Sequence, residues 1–278
     1  MRSLAGRLDL CAINTATLGF RHAIAETIEV IARHGFGGIA PWRREIEGGD
    51  VKAIARQIRD AKLAVTGYCR STYIPAATRR EFEANIAANI AAITDAGLLG
   101  AANFVMVVGG LPPGSKNIAA ARQQVEEGVG LLADHARQCG VRIALEPLHP
   151  MYAADRSCLS TIDEALGICQ RSQSDQIGIC LDVYHIWWDP DLAQKIHACR
   201  GLISGFHVCD WLVPTRDMLN DRGMMGDGVI DISAIRAAVE DAGYDGLVET
   251  EIFSAEDWWK RPPDEILKTC KERFATAC

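Results

Sequence analysis

The feature that most constrains this chain is an alternation. Short apolar runs of strand length are followed by longer stretches of helical periodicity, and the pair recurs eight times from one end of the sequence to the other. The runs cover residues 8–15, 37–40, 63–69, 103–108, 141–145, 177–181, 202–208 and 247–252. Helices are expected near 22–34, 50–61, 78–96, 115–139, 161–170, just after Asp189-Pro190, and over 232–242 and 264–274. The fourth helix places Val125, Val129, Leu132 and Ala136 on one apolar stripe of 3.6-residue period and ends at Gly140. Asp231 stands where it can cap the helix that begins at Ile232.

Strands that alternate with helices pair in parallel through right-handed crossovers. Eight such units in 278 residues match a closed α/β barrel of the (β/α)8 type, the TIM barrel, which typically takes about 250 residues. A doubly wound open sheet is the rival arrangement. It would usually carry a glycine-rich phosphate turn after its first strand, whereas the chain there reads Ile13-Asn14-Thr15-Ala16-Thr17. The expectation is one (β/α)8 barrel domain over residues 1–278.

A closed parallel barrel gathers the C-terminal ends of its strands on one face, where barrel active sites lie. Four successive runs end in a residue able to bind a metal: Glu146 after the fifth, Asp182 after the sixth, His207 late in the seventh and Glu251 late in the eighth. They recur at roughly one βα unit each, as residues at equal height on neighbouring strands must. Three carboxylates and one imidazole are a hard, oxygen-rich set that suits one divalent ion, Mn²⁺ or Mg²⁺, with Co²⁺ and Zn²⁺ also within its range. A dication would also relieve the mutual repulsion of the carboxylates. Glu249 shares a strand face with Glu251 through period two, and the residue nearer the strand end is preferred as ligand.

Composition removes some functions. A net charge of −7 and a pI near 5.5 argue against a surface built to neutralise nucleic-acid phosphates. No apolar run approaches membrane-spanning length, and the first residues lack the apolar core of a signal peptide, so the cytoplasm is the expected location with no membrane partner. The ten cysteines form no Cys-x-x-Cys pair, and several interrupt apolar runs, which reads as buried reduced thiols.

Glu146-Pro147, Leu181-Asp182-Val183-Tyr184-His185, Phe206-His207-Val208-Cys209-Asp210 and Glu251-Ile252-Phe253 together resemble the xylose isomerase-like TIM barrels, the group of sugar phosphate isomerases and epimerases. The resemblance implies that Glu146, Asp182, His207 and Glu251 bind one divalent metal and that His185 supports the site or contacts substrate. It also implies that Glu146 and Glu251 serve as acid and base on opposite faces of a ketose. The implied activity is a metal-dependent isomerase or epimerase of a small sugar, keto-polyol or hydroxy-keto acid, proceeding through a metal-stabilised enediolate. An inosose-type dehydratase on the same site is the neighbouring alternative.

An apurinic endonuclease is the alternative from another class. That role needs three zinc ions and further histidines, yet Thr66-Gly67-Tyr68-Cys69-Arg70, Val105-Met106-Val107-Val108 and the segment 221–228 contain none. The resemblance places a substrate-binding arginine at Arg222. Asn14 and His149 are candidates for substrate hydroxyls. Trp187, with the other tryptophans after strand ends (Trp42, Trp188, Trp211, Trp258 and Trp259), is expected to wall the pocket. A small-molecule substrate is the expected partner, and a homo-oligomer is compatible with this reading. The Gly109–Lys116 segment reads as a turn.

Overall fold

In the computed structural model, which describes residues 1–278, the alternation closes on itself. The strands are β1 (Cys11–Asn14), β2 (Gly38–Ala40), β3 (Ala64–Val65), β4 (Gly67–Cys69), β5 (Asn103–Met106), β6 (Arg142–Leu145), β7 (Ile177–Asp182), β8 (Ile203–Val208), β9 (Asp210–Trp211), β10 (Arg222–Gly223) and β11 (Val248–Thr250). Nine of them form one parallel sheet in the order β3-β2-β1-β11-β8-β7-β6-β5-β4. Its end members, β3 and β4, are two halves of one strand interrupted at Thr66, so the chain itself joins the two edges of the barrel. The uninterrupted third strand expected over 63–69 is thus corrected to two segments. Thr66 keeps its N–H on the Ile39 carbonyl of β2 but gives its own carbonyl to the Asn103 side chain, and its hydroxyl turns inward, where it donates to Glu249 at 2.5 Å.

Helices α1 (Ile24–Arg33), α2 (Arg43–Ile46), α3 (Val51–Asp60), α4 (Arg79–Leu99), α5 (Ile118–Cys139), α6 (Ile162–Ser172), α7 (Val183–Ile186), α8 (Leu192–Ala198), α9 (Ile232–Asp241) and α10 (Pro263–Thr276) fill the connections. Local chemistry sets their starts. Asp50, Thr78, Asn117, Thr161 and Asp231 accept hydrogen bonds from the backbone N–H groups of Ala53, Glu81, Ala120, Glu164 and Ala234, each cap contributing about 1 kcal/mol. The stripe of Val125, Val129, Leu132 and Ala136 is fully buried. Gly140 ends α5 at φ 68°, a left-handed conformation that glycine adopts without a Cβ clash. The single-turn helices α2 and α7 are too short to show a period in the sequence.

One continuous cluster of 70 buried hydrophobic residues fills the space between barrel and helices. A separate small patch, Val107, Leu148 and Tyr152, lies beyond the strand ends. No helix is long and apolar enough to cross a membrane.

The pairing of β7 with β8 contains the irregularity that matters most for the site. Ile179 pairs with Ile203, but the next partner of Cys180 is Gly205, so Ser204 is an extra residue on β8. From there Asp182 stands level with His207 instead of Phe206. Since side chains alternate between faces, this slip fixes which of the two aromatic rings enters the barrel. The carbonyl that the bulge leaves unpaired is not orphaned, because Asn103 of β5 donates to it at 2.8 Å from across the barrel. Gly205 fits this crossing point for a steric reason. A Cβ there would meet the Cys180 sulfur at 2.8 Å.

Candidate metal centre and active site

At the C-terminal end of the barrel, β11, β8, β7 and β6 are consecutive neighbours, and each delivers one residue to a common point. Glu251, His207, Asp182 and Glu146 are all buried, and one ligand-type atom from each lies within 4.8 Å of all the others. The two glutamates come from the outer members of this arc of four strands, with the histidine and aspartate between them.

Each side chain is held by named partners. Asp182 caps the turn of α7 by accepting from the Tyr184 N–H at 2.9 Å through Oδ1, and its Oδ2 accepts from Arg222 at 2.8 Å. His207 turns Nε2 toward Glu249 Oε1, 3.2 Å away, and toward the Cys180 sulfur, 3.3 Å away. Its Nδ1 faces Glu146 and Glu251 at 3.5 and 3.7 Å. Glu251 is steadied by the Asn14 amide at 3.0 Å.

Two buried atoms here have no hydrogen-bond partner: Glu146 Oε1 and His207 Nδ1. Buried polar groups are almost always satisfied. These two atoms face each other at 3.5 Å among three carboxylates without a formed hydrogen bond, and a divalent cation there would replace the proton they otherwise share. Carboxylate oxygens and one imidazole nitrogen are a suitable donor set for it, and a bond from Nε2–H to Glu249 would leave Nδ1 free as the ligand. A smaller grouping of Glu146, Cys180 and His207 is also close-set, but burial pushes the Cys180 thiol up to about 12, which keeps it protonated and a poor ligand.

The electrostatics separate the two glutamates. Burial, reinforced by Glu251 and Asp182, pushes the Glu146 carboxyl up to about 7 against the opposing influence of His207. Burial acts the same way on Glu251, but His207 and Arg222 outweigh it and hold that carboxyl below its usual value. Burial alone would pull the His207 imidazole down; the carboxylates of Glu249 at one nitrogen and Glu146 at the other reverse this and raise it well above its usual value. His185 goes the other way. Burial, aided by Arg222, drives it to about 3, so it is a neutral imidazole at neutral pH.

A cavity of about 920 Å³ opens over this centre, and Glu146, Glu251, His185, Arg222, Trp42 and Phe253 are among its lining residues. His185 accepts from Arg222 through Nε2 at 3.3 Å, and its buried Nδ1 has no partner. Arg222 arrives on β10, which pairs antiparallel with β9 in a ribbon past the end of β8. Its guanidinium lies between the Tyr184 and Phe253 rings, at 4.4 and 5.0 Å, and reaches both Asp182 and Glu251. Arginine at this position is therefore a counter-charge to two carboxylates, although it also borders the cavity.

Three expected substrate contacts, Asn14, His149 and Trp187, lie off the cavity lining. Asn14 is fully buried behind Glu251, its amide divided between Glu249 and Glu251 and its oxygen taken by Trp42 and the Ala16 N–H. His149 stacks on Trp211 with ring centres 5.5 Å apart and accepts from the Met151 N–H. Trp187 packs on Trp211 at 5.6 Å. Neither His149 nor Trp187 lines the cavity, and of the six tryptophans only Trp42 does. The reason is the turn at α7: at about 100° per residue, the side chain two positions after the inward-facing His185 points away.

Glu249 is the functional neighbour whose position the sequence only half revealed. It sits deeper on β11, accepting from Asn14 at 2.8 Å and from Thr66 while facing His207 Nε2. The period-two pairing with Glu251 was the available signal: it placed both residues inside the barrel with Glu251 nearer the strand end, but it did not announce the contacts of Glu249 with Asn14, Thr66 and His207.

The sequence matches the xylose isomerase-like TIM barrel description over residues 28–270. The chain belongs to this family. Among xylose isomerase-like relatives, an inosose isomerase of Bacillus velezensis (strain DSM 23117 / BGSC 10A6 / LMG 26770 / FZB42) is 29% identical over 149 residues, which is 51% of this chain and 50% of the relative. An L-ribulose 3-epimerase of Mesorhizobium japonicum (strain LMG 29417 / CECT 9101 / MAFF 303099) is 28% identical over 126 residues, 45% of this chain and 38% of the relative. The matched segment thus spans about half the length of the first of these curated relatives, and less of the second. The crystal structure of protein SMc04130 from Sinorhizobium meliloti 1021 superposes with a TM-score of 0.95 at 47% identity, covering 98% of this chain and 99% of that one. The likeness of this xylose isomerase-like barrel to that structure thus runs along nearly the whole of both chains.

Proposed function

We propose that the protein is an isomerase or epimerase of a small sugar, keto-polyol or hydroxy-keto acid, working with one divalent cation held by Glu146, Asp182, His207 and Glu251. The observation that carries this reading is the pair of bare buried atoms, Glu146 Oε1 and His207 Nδ1, within a set of three carboxylates and one imidazole. The names of the inosose isomerase and L-ribulose 3-epimerase relatives support the reaction class. Mn²⁺ or Mg²⁺ is the preferred ion for so oxygen-rich a set. When bound, the cation supplies Lewis-acid polarisation of a substrate carbonyl, which acidifies the adjacent C–H.

The chain's own residues then divide the proton work. Glu251, held ionised by its cationic neighbours, is suited to take the proton from carbon, and Glu146, which would hold the cation through one carboxylate oxygen, has a second oxygen that can carry a proton. Their places at the two ends of the four-strand arc put them on either side of a substrate seated between, as proton return to the opposite face requires. His185, neutral and with its Nδ1 unpaired beside the cavity, can offer an N–H to a substrate oxygen. Trp42 and Phe253 line the same cavity and offer apolar ring faces to a bound sugar.

Incubating the Mn²⁺-loaded protein in D₂O with a panel of ketoses and keto-acids tests this directly. Uptake of deuterium at the carbon beside the carbonyl, without loss of water, is expected for at least one compound. Elimination of water would replace the reading with a dehydratase.

Cation binding should also be strongly pH-dependent. Glu146 and His207 must both give up protons to present their lone pairs, and both are raised above their usual values. Affinity therefore climbs as pH rises. Glu146 alone gives about tenfold per unit on the acid side of 7, and His207 extends the climb beyond it. Calorimetric titration with Mn²⁺ in buffers of different ionisation enthalpy should register protons released on binding at pH 6.

A further inference from the structure

Outside the carboxylate centre, the cavity wall is positively charged against the acidic balance of the whole chain. Arg43, Arg44, Arg70 and Arg156 all line it, and the one carboxylate among the outer lining residues, Glu47, is 60% exposed and pairs with Arg43. The inner arginine, Arg222, is already committed to Asp182 and Glu251. Of the outer four, Arg44 and Arg70 have no ion pair, and Arg43 and Arg156 pair only with acids whose side chains are more than half exposed.

Two of them are mounted as receptors. Arg70 forms no ion pair: its Nη1 donates to the Tyr73 hydroxyl at 2.8 Å and its guanidinium lies 4.9 Å from the centre of the Tyr73 ring. Arg156 lies 5.6 Å over the Tyr152 ring, and its nearest acid is Asp155, 3.9 Å away with a side chain 67% exposed. Tyr73 and Tyr152 both pack on the patch formed with Val107 and Leu148, so a single apolar wall carries both guanidiniums. Stacking on a ring holds an arginine's plane and leaves its edge N–H groups for a ligand. Arg43 joins the same side through its 2.8 Å bond to Thr72.

We infer that this wall is a subsite for an anionic group, carboxylate or phosphate, carried by the substrate at the end remote from the reacting carbons. The inference rests on the isomerase reading for the placement of the reacting end over Glu146 and Glu251, which line the same cavity. Planar guanidinium edges bind oxyanions in a bidentate fork, and a concave site of this charge raises the local concentration of anionic ligands. A neutral polyol would leave these charges without a partner. The substrate class is thereby narrowed from small ketoses in general to sugar acids or sugar phosphates.

The test uses the Mn²⁺-loaded full chain and three matched probes, D-fructose, D-fructose 6-phosphate and D-fructuronate, in two separate measurements. The first is equilibrium binding by calorimetry; the second is deuterium exchange of the probe in D₂O. Tighter binding of at least one anionic probe than of D-fructose, by about tenfold or more, is expected, with the difference shrinking as salt is raised. In the R70Q/R156Q double variant the ratio of anionic to neutral affinity should fall by about tenfold or more. Preference for the phosphate over the carboxylate, or the reverse, identifies the group. Equal affinity of the wild-type protein for all three probes overturns the subsite, as does an unchanged ratio in the folded double variant, checked by circular dichroism. Absence of exchange with these probes and with every compound of the ketose and keto-acid panel, alongside the expected affinity ratios, overturns the isomerase reading and leaves the anion subsite standing.

Discussion

Replacing Glu146 or Glu251 with glutamine is expected to cut exchange of the substrate's carbon-bound proton with solvent by roughly 10²- to 10⁴-fold, the scale of one acid–base group. The amide keeps the shape of the side chain and an oxygen able to coordinate, but it neither accepts nor donates the transferred proton. Both positions are buried, so the comparison belongs at saturating Mn²⁺, with circular dichroism and a melting curve confirming the fold. The variants should also differ from each other. Since Glu251 faces Arg222 as well as His207 and is held ionised by them, the E251Q protein should lose the step that takes a proton from carbon. The E146Q protein should lose the return to the opposite face, and so still exchange at a residual rate above that of E251Q while forming no epimer. Unchanged exchange in both variants would remove the acid–base assignment altogether.

The second large effect concerns Arg222. Its substitution by methionine removes the guanidinium from between Asp182 and Glu251 and leaves two buried carboxylates facing each other without their counter-charge. Breaking a buried pair in this way costs about 3–5 kcal/mol. The metal-free R222M protein should therefore melt well below the metal-free wild type. Addition of Mn²⁺ should recover much of the loss, because a dication at the same carboxylates offsets the missing positive charge and stabilises the folded state by mass action. Thermal melts of both proteins, each with and without Mn²⁺, give the four numbers needed. A loss that the cation does not reduce would show that Arg222 acts through its stacking on Tyr184 and Phe253 instead of through charge.

Much of this was legible from the sequence because barrel architecture converts order into position. Once eight strand–helix pairs are recognised, the end of each apolar run becomes a height on the barrel. Glu146, Asp182, His207 and Glu251 could then be brought together without knowing any distance. The parts that escaped depend on rotation or on contacts made at long range. Trp187 follows a strand end as His185 does, but the single turn of α7 aims the two apart, and a turn that short leaves no periodic trace. Asn14 ends its strand at the correct height, yet its amide is consumed by Glu249, Glu251 and Trp42, which are remote in sequence. The break at Thr66 hides inside an apolar run, because the partners of its hydroxyl and carbonyl, Glu249 and Asn103, are remote in sequence.

The extra residue on β8 carries a consequence of another kind. Whether His207 or Phe206 faces Asp182 is decided by the presence of Ser204, and the identity of Ser204 matters little, because what Asn103 binds is its backbone carbonyl. This part of the site is written in the arithmetic of the chain and not in its alphabet. Substitution at residue 204 would leave the frame intact. Losing the residue would shift the imidazole out of phase with the three carboxylates while every one of the four remained in the sequence. A relative can therefore keep the full set of letters and lack the centre, and a comparison that scores residues without counting them would not tell the two apart.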